Sequence, residues 1–414
     1  MYNSVFFCIL AFLLLSFVIG LVLSWLNYRD FGKPLPESLQ GIYDNERYDK
    51  QQRYSTANYK LSLISTCFST LVTVIALSIG LYGWIDAQWR TLTDNAIWLC
   101  LLFFGVIELW GLVSGLPFSY YKTFVIEENF GFNKQTRKLF WADEFKSLLL
   151  EVVLGGGILA LITYLYLLTT EWFWLLAWGV LSVFMLFMTT FYSNLIVPLF
   201  NKQTPLEEGP LRNAIESFAG KVGFKLDNIY VIDGSKRSTK ANAYFSGLGP
   251  KKRIVLYDTL IEKMSVEEIV AVLAHEIGHY KHKHTLKSVV SAFVQNLLMF
   301  GLLGYFLSWP ALTEAMNGGS EPVFHLALYA FTMLYSPISI CLGLWSKVSS
   351  RKHEYQADAF AAKHGLGDAL ISALKKLSAD SLTNLQPHPA YVFVHYSHPT
   401  LLQRMTAIMQ VKCE

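Results

Sequence analysis

The chain has 414 residues, 53% hydrophobic and only 16% charged, against about a quarter charged in a water-soluble domain. The net charge of +3 is small and no basic stripe is interleaved with aromatics, so nucleic acid is not an expected partner. Five cysteines without CxxC spacing argue against a disulfide framework or a cysteine–zinc site.

A membrane-spanning helix needs roughly 20 mostly apolar residues. Seven runs qualify: Ser4–Asn27, Leu61–Ile85, Ile97–Tyr120, Leu148–Thr170, Trp172–Leu199, Ser288–Ser308 and Val323–Trp345. The first reads as a retained anchor, since no Lys or Arg precedes it and no small-residue cleavage site follows. With seven spans, only Arg90 of the 34 Lys and Arg falls on one side, so the other is expected to be cytoplasmic.

The runs divide the chain into spans 1–5 (1–200), a polar block (201–287), spans 6–7 (288–346) and a polar tail (347–414). In the polar block Pro210–Gly220 reads as an amphipathic helix, and Asn228–Asp233 and Arg253–Tyr257 as strands. Asn242–Phe245 reads as an edge-like strand ended by Gly247 and Gly249. Asn242, Ala243 and Tyr244 could then hold a peptide by main-chain pairing, the alternative being an ordinary paired strand. Ser265 is a good N-cap, with Glu267 and Glu268 in the first turn of a helix running through Val270–His284. In the tail Ser349–His364 reads as a helix stopped by Gly365.

The block carries His275-Glu276-Ile277-Gly278-His279, an HExxH sequence. Four residues advance a helix about 400°, so His275 and His279 share a face and can converge on one metal, with Glu276 about 100° round from His275 and free to take a proton. Two imidazoles plus a carboxylate and an open position suit zinc, which brings the pKa of a bound water down to about 7; Co²⁺ or Mn²⁺ would accept the same ligands. The third ligand is sought in the tail. Glu354 and Asp358 are i,i+4, so one can bind metal while the other orients a ligand imidazole, or both can be a solvated acidic pair. His353 is a competing ligand, and His282 and His284, which could form a metal tract, read from their charged neighbours as wet surface or headgroup contact. His398 and Arg404 are candidate donors to a tetrahedral oxyanion, or else capping or ion-pair groups. Glu108 in the third span, and Gln295 and Asn296 in the sixth, suggest an interior polar surface or helix–helix hydrogen bonds.

Taken together the chain resembles the type I CAAX prenyl protease family of integral membrane zinc metalloproteases. The resemblance is carried in order by the segment Phe124–Thr136, by Pro198–Lys202 with Pro205-Leu206, by Asn242–Phe245 and Arg253–Leu260, by Ala274–His279, by Ser350–Ala361 and by Ser397-His398-Pro399. It implies zinc on His275, His279 and Glu354, Glu276 as general base and Asp358 as supporting acid. It implies a mainly α polytopic fold, seven transmembrane helices around an internal water-filled chamber lined by Glu108, Gln295 and Asn296, plus a small α+β gluzincin-like peptidase domain. The substrate implied is a peptide or prenylated protein presented from the lipid bilayer and cut after the prenylated Cys. Short loops and the lack of a dilysine tail point to a bacterial member, placing it in the inner (plasma) membrane; a eukaryotic one would sit in the endoplasmic reticulum membrane. The rival readings are a general membrane quality-control metalloprotease and a non-catalytic transporter or scaffold with structural zinc.

Overall fold

The computed structural model describes residues 2–224, 229–246 and 253–413; Asn228, Gly247 and Gly249, named above as strand boundaries, lie outside them. The helices of the first half are α1 (Ser4–Arg29), α2 (Asn45–Ser78), α3 (Leu81–Arg90), α4 (Ala96–Tyr121), α5 (Arg137–Leu150), α6 (Gly156–Thr169), α7 (Phe173–Leu195) and α8 (Val197–Phe200). There follow β1 (Gln203–Pro205), α9 (Pro210–Lys221), β2 (Ile229–Ile232), β3 (Ala243–Ser246), β4 (Arg253–Tyr257), α10 (Asp258–Lys263) and α11 (Val266–Lys281). The chain ends with α12 (His284–Phe306), α13 (Pro310–Ala315), α14 (Phe324–Leu334), α15 (Ser336–Ala361), α16 (Gly367–Asp380), α17 (Pro389–His395) and α18 (Leu401–Cys413). Side chains cap several helix starts: Asn3, Asp44, Asn95 and Thr136 each accept from a backbone N–H of the following first turn.

Among the described residues six helices are long and apolar enough to cross a bilayer, and a seventh span forms if α14 and α15, bent by 52°, count as one. Pro337 in the first turn of α15 accompanies that bend. The spans pack in chain order, α1, α2, α4, α5–α6, α7, α12 and α14–α15, and α14 returns to α1 to close a ring. Only 11–17% of each of the six spans' apolar window is buried. Helices of a solid bundle hide a face; these leave both sides open, which is the shape of a ring around a chamber.

The second apolar run departs from expectation. It is not one span to Ile85: α2 stops at Ser78, Gly80 takes the left-handed conformation (φ 69°), and the chain turns into α3. A side chain at Gly80 would strike that of Asn317, and Gly83 N–H donates to the Met316 carbonyl. This end of the ring is plugged by an apolar core that includes Phe6, Phe103, Phe173 and Phe331, with Asp86 and His325 paired at 2.8 Å.

The other end carries the α+β elements. The sheet has order β1-β2-β4-β3, with β2 and β4 parallel and the other pairs antiparallel, so β3 is an edge strand. The segment Phe124–Thr136 fastens this layer to the spans. Glu127 accepts from Tyr54 (2.6 Å) and Lys240 (2.8 Å), Phe132 is buried, and Asn133 bridges to Ser238. Arg237 adds a bidentate pair to Asp143 on α5.

Candidate active site

Helix α11 is built to be held rigidly. Ser265 and Glu268 form a reciprocal capping box, and the Glu268 carboxylate also accepts from Ser372 (2.6 Å) and Lys376 (2.7 Å) of α16. The next ten residues are almost all buried, down to Gly278. Gly278 has a specific reason to lack a side chain: a Cβ there would lie 3.0 Å from the Ala357 Cα and 3.0 Å from the Phe360 Cβ. Helices α11 and α15 therefore meet backbone to backbone at this point, and Ala274, Ala357 and Ala361, all fully buried, keep the approach close.

That approach brings the distant carboxylate to the histidines. His275 Nε2 and His279 Nε2 are 3.1 Å apart, His275 Nε2 and Glu354 Oε2 are 3.5 Å apart, and His279 Nε2 and Glu354 Oε1 are 3.3 Å apart. Zinc bonds of about 2.0–2.2 Å at the tetrahedral angle separate neighbouring ligand atoms by about 3.3–3.5 Å. The triangle thus has the edges of three corners of a zinc tetrahedron. Glu354 Oε2 is moreover buried without a hydrogen bond among the described residues, Arg404 Nη1 approaching only to 3.6 Å, a costly state for a carboxylate unless a cation comes closer. The donor set fits a single divalent ion.

The far nitrogens of both imidazoles are held. His275 Nδ1 lies 2.8 Å from Asp358 Oδ1, so its proton sits on Nδ1 and Nε2 keeps its lone pair for metal. Arg404 grips the same carboxylate through Nε (2.8 Å) and Nη2 (2.6 Å). His279 Nδ1 lies 2.9 Å from His284 Nδ1, and His284 Nε2 lies 2.8 Å from Gln356 Oε1. The consistent assignment is a chain: His279 Nδ1–H donates to His284, and His284 Nε2–H donates to the Gln356 carbonyl oxygen.

Without a metal, the neighbouring carboxylates favour a second proton on His275, which a divalent ion at Nε2 would displace. Burial works against charge on His275, but Asp358 and Glu354 outweigh it and lift its pKa to about 9. Burial would raise the Glu354 carboxyl, yet the contacts with His275 and His279 hold it well below the usual carboxylate range. Burial likewise opposes ionised Asp358 and is overcome by His275 and Arg404. His284 goes the other way: burial, with the neighbouring histidines, lowers it to about 4, so the ring is neutral and can accept at Nδ1.

Of the residues singled out in the sequence, His275, His279, Glu354 and Asp358 come together as the spacing required. Glu276 is half-buried, and its carboxylate makes no hydrogen bond among the described residues. His398 is exposed, its Nε2 3.4 Å from Glu354 Oε1, while Arg404 Nη1 is 3.6 Å from Glu354 Oε2. Asn242 lies exposed just before β3, with Ala243 and Tyr244 in that edge strand, and the Tyr244 hydroxyl is 3.5 Å from Ser193 of α7. Glu108 is exposed on α4 against Glu151, and Gln295 donates to Ser346, tying α12 to α15; Asn296 is half-buried.

Three expectations are corrected. The helix taken to run through Val270–His284 ends at Lys281; Lys283 adopts a left-handed conformation (φ 56°) and His284 opens α12. That reversal folds His284 back onto His279, so it is a buried support rather than wet surface. His353 stacks on the His284 ring at 4.0 Å and is not among the converging ligand atoms. The tail helix does not begin at Ser349 but continues the helix that starts at Ser336 within the seventh apolar run, and Gly365 (φ 80°) follows its end.

Comparison with known proteins adds to this geometry. The family described as "CAAX prenyl protease N-terminal, five membrane helices" matches residues 24–202, and peptidase family M48 matches residues 205–412. The chain is 37% identical to CAAX prenyl protease 1 homolog of Oryza sativa subsp. japonica, over 97% of this chain and 96% of that protein. It is 36% identical to CAAX prenyl protease 1 of Saccharomyces cerevisiae, over 93% and 91%. The crystal structure of S. mikatae Ste24p superposes with a TM-score of 0.91 at 36% identity, covering 98% of this chain and 99% of that one. These relatives are eukaryotic, which leaves the bacterial reading of the short loops without support.

Proposed function

Because the chain belongs to peptidase family M48, within its CAAX prenyl protease group, we propose that this metalloendopeptidase is zinc-dependent and removes the residues that follow a prenylated cysteine at protein C-termini. The observation that carries the metal assignment is the His275–His279–Glu354 triangle with its orphaned Glu354 oxygen. The Lys/Arg asymmetry supports a cytoplasmic catalytic face.

His275 Nε2, His279 Nε2 and a Glu354 oxygen would hold the metal, which when bound polarises the scissile carbonyl and acidifies the attacking water. Glu276 receives the proton of that water on its carboxylate and returns it to the leaving amine nitrogen. Asp358 fixes the His275 tautomer through Nδ1–H, and the His284–Gln356 chain does the same for His279. Arg404 spends Nε and Nη2 on Asp358, which makes it a clamp first. His398, exposed beside Glu354, is the better placed donor to the oxygen on which charge develops. An extended substrate can add to the open edge of β3, beside a cavity of about 620 Å³ that joins Tyr244 and Tyr257 to Thr285 at the start of α12.

Purified protein incubated with a farnesylated CAAX peptide and its unprenylated twin tests this. Release of the terminal tripeptide from the farnesylated peptide alone is the expected result. Equal cleavage of both, or preferential cleavage of unprenylated membrane proteins, would favour the quality-control reading.

A further inference from the structure

Helix α2 has two unlike long faces. Ser55, Asn58, Ser62, Ser65 and Ser69 recur every three or four residues and form a polar stripe. Ile64, Phe68, Leu71 and Ile75, all exposed, form an apolar stripe roughly 130° round the helix from it. A ring helix with hydrocarbon outside and water inside is divided this way, so the apolar stripe faces the bilayer and the serines face the chamber.

Cavities lie against both faces where α2 meets α4. The outer one, a groove of about 730 Å³, is lined by Arg53, Lys60 and Ile64 of α2 and Pro117 and Tyr121 of α4. The inner one, of about 690 Å³, is lined by Asn58, Ser62 and Ser65 and by Ser119 and Lys122. Leu61 and Phe118 line both. At this seam these two apolar side chains stand between the bilayer groove and the chamber cavity.

The backbone of α4 is also weakest here. Pro117 lies inside the helix, where it has no N–H for the carbonyl one turn back, and from Lys122 to Glu127 the helix widens to π geometry. Such sites are where helices bend. Glu127 at the far end is pinned by Tyr54 and Lys240, so bending is confined to the stretch that carries Phe118.

We propose that the α2–α4 seam is a lateral gate through which the isoprenoid chain of the substrate passes from the bilayer into the chamber, with Leu61 and Phe118 as its two leaves. This rests on the prenylated-substrate reading above. The groove suits that occupant in charge as well as in polarity. Arg53 and Lys60 are exposed and make no ion pair among the described residues, and a CAAX tail ends in a free carboxylate three residues beyond the lipidated cysteine.

The test uses Leu61→Cys with Phe118→Cys in full-length protein whose native cysteines are replaced by serine, reconstituted in phosphatidylcholine vesicles. Once a bifunctional thiol reagent has joined the pair, turnover of farnesylated CAAX peptide is expected to fall at least tenfold, with zinc content unchanged and the single-cysteine variants unaffected. Unaltered turnover in fully cross-linked protein would overturn the gate. In wild-type protein, a photoreactive farnesyl peptide is expected to label 53–64 and 117–121 and to be displaced by unlabelled farnesyl peptide. Labelling displaced instead by phosphatidylserine, or absent from these segments, would make the groove a phospholipid site or none, and would also overturn it. Should wild-type protein cleave plain and farnesylated peptides alike, the prenyl reading fails first and takes the gate's occupant with it, an outcome seen before any cysteine is introduced.

Discussion

Gly278 and Ala357 approach so closely that a methyl group on the glycine would sit 3.0 Å from the Ala357 Cα. Between the two metal-facing histidines, then, the helix has no side chain at the one position where α15 must come near enough to deliver Glu354. The metal triangle is a consequence of this backbone contact as much as of its own ligands.

Gly278→Ala is accordingly expected to push α15 away. Overpacking of this kind costs about 1–3 kcal/mol, and a few tenths of an ångström at Gly278 is enough to spoil a ligand triangle. Circular dichroism should show a folded protein, while zinc retained on dialysis against a weak chelator drops. Full zinc retention would mean that the approach has slack.

Glu276→Gln keeps the shape and removes the base. Zinc content is expected to stay near that of the wild type while turnover falls by about 10²–10⁴-fold, the range for loss of a general base. Retained turnover would take Glu276 out of its role.

His284→Ala breaks the chain that fixes the His279 tautomer without touching a ligand atom. Loss of such an outer partner lowers metal affinity by about 10–100-fold. Competition with a chelating dye measures this directly, and His284→Asn, which can still offer a polar atom to His279 Nδ1, should recover part of the loss. Unchanged affinity in His284→Ala would reduce the contact to packing.

Glu268 makes stability depend on pH. Burial would raise its carboxyl pKa, but Lys376, Ser372 and the Ser265 backbone lower it below the ordinary value. Because the folded-state pKa is depressed, its contribution is complete above the unfolded carboxylate pKa, about 4.3, and is lost as pH falls through the folded value. Melting temperature in detergent should therefore drop below about pH 4 more steeply in the wild type than in Glu268→Gln. That variant should already be less stable at pH 7 by about 1–3 kcal/mol. Parallel curves would show that the carboxylate does not need its charge.

Much of this was legible in the chain because it rests on helical spacing. His275 and His279 one turn apart, Glu354 and Asp358 likewise, and apolar runs long enough to span a bilayer are all periodic signals. What stayed hidden were reversals carried by single backbone conformations. Gly80 ends the second span, and its left-handed turn becomes meaningful only once Asn317 is seen packed against it. Lys283 turns left-handed with no residue-type signature at all, and without that turn His284 reads as the exposed end of a charged helix. The interruption at Tyr335 was masked by unbroken hydrophobicity through Val323–Trp345, although Pro337 stood beside it.

In the proposed site a distant glutamate completes a single metal centre with the two histidines. Metal analysis by mass spectrometry of wild type and Glu354→Ala, purified side by side without added metal, tests it most directly. One zinc per chain is expected in the wild type and close to none in the variant, with both proteins folded. One zinc per chain in Glu354→Ala would contradict it.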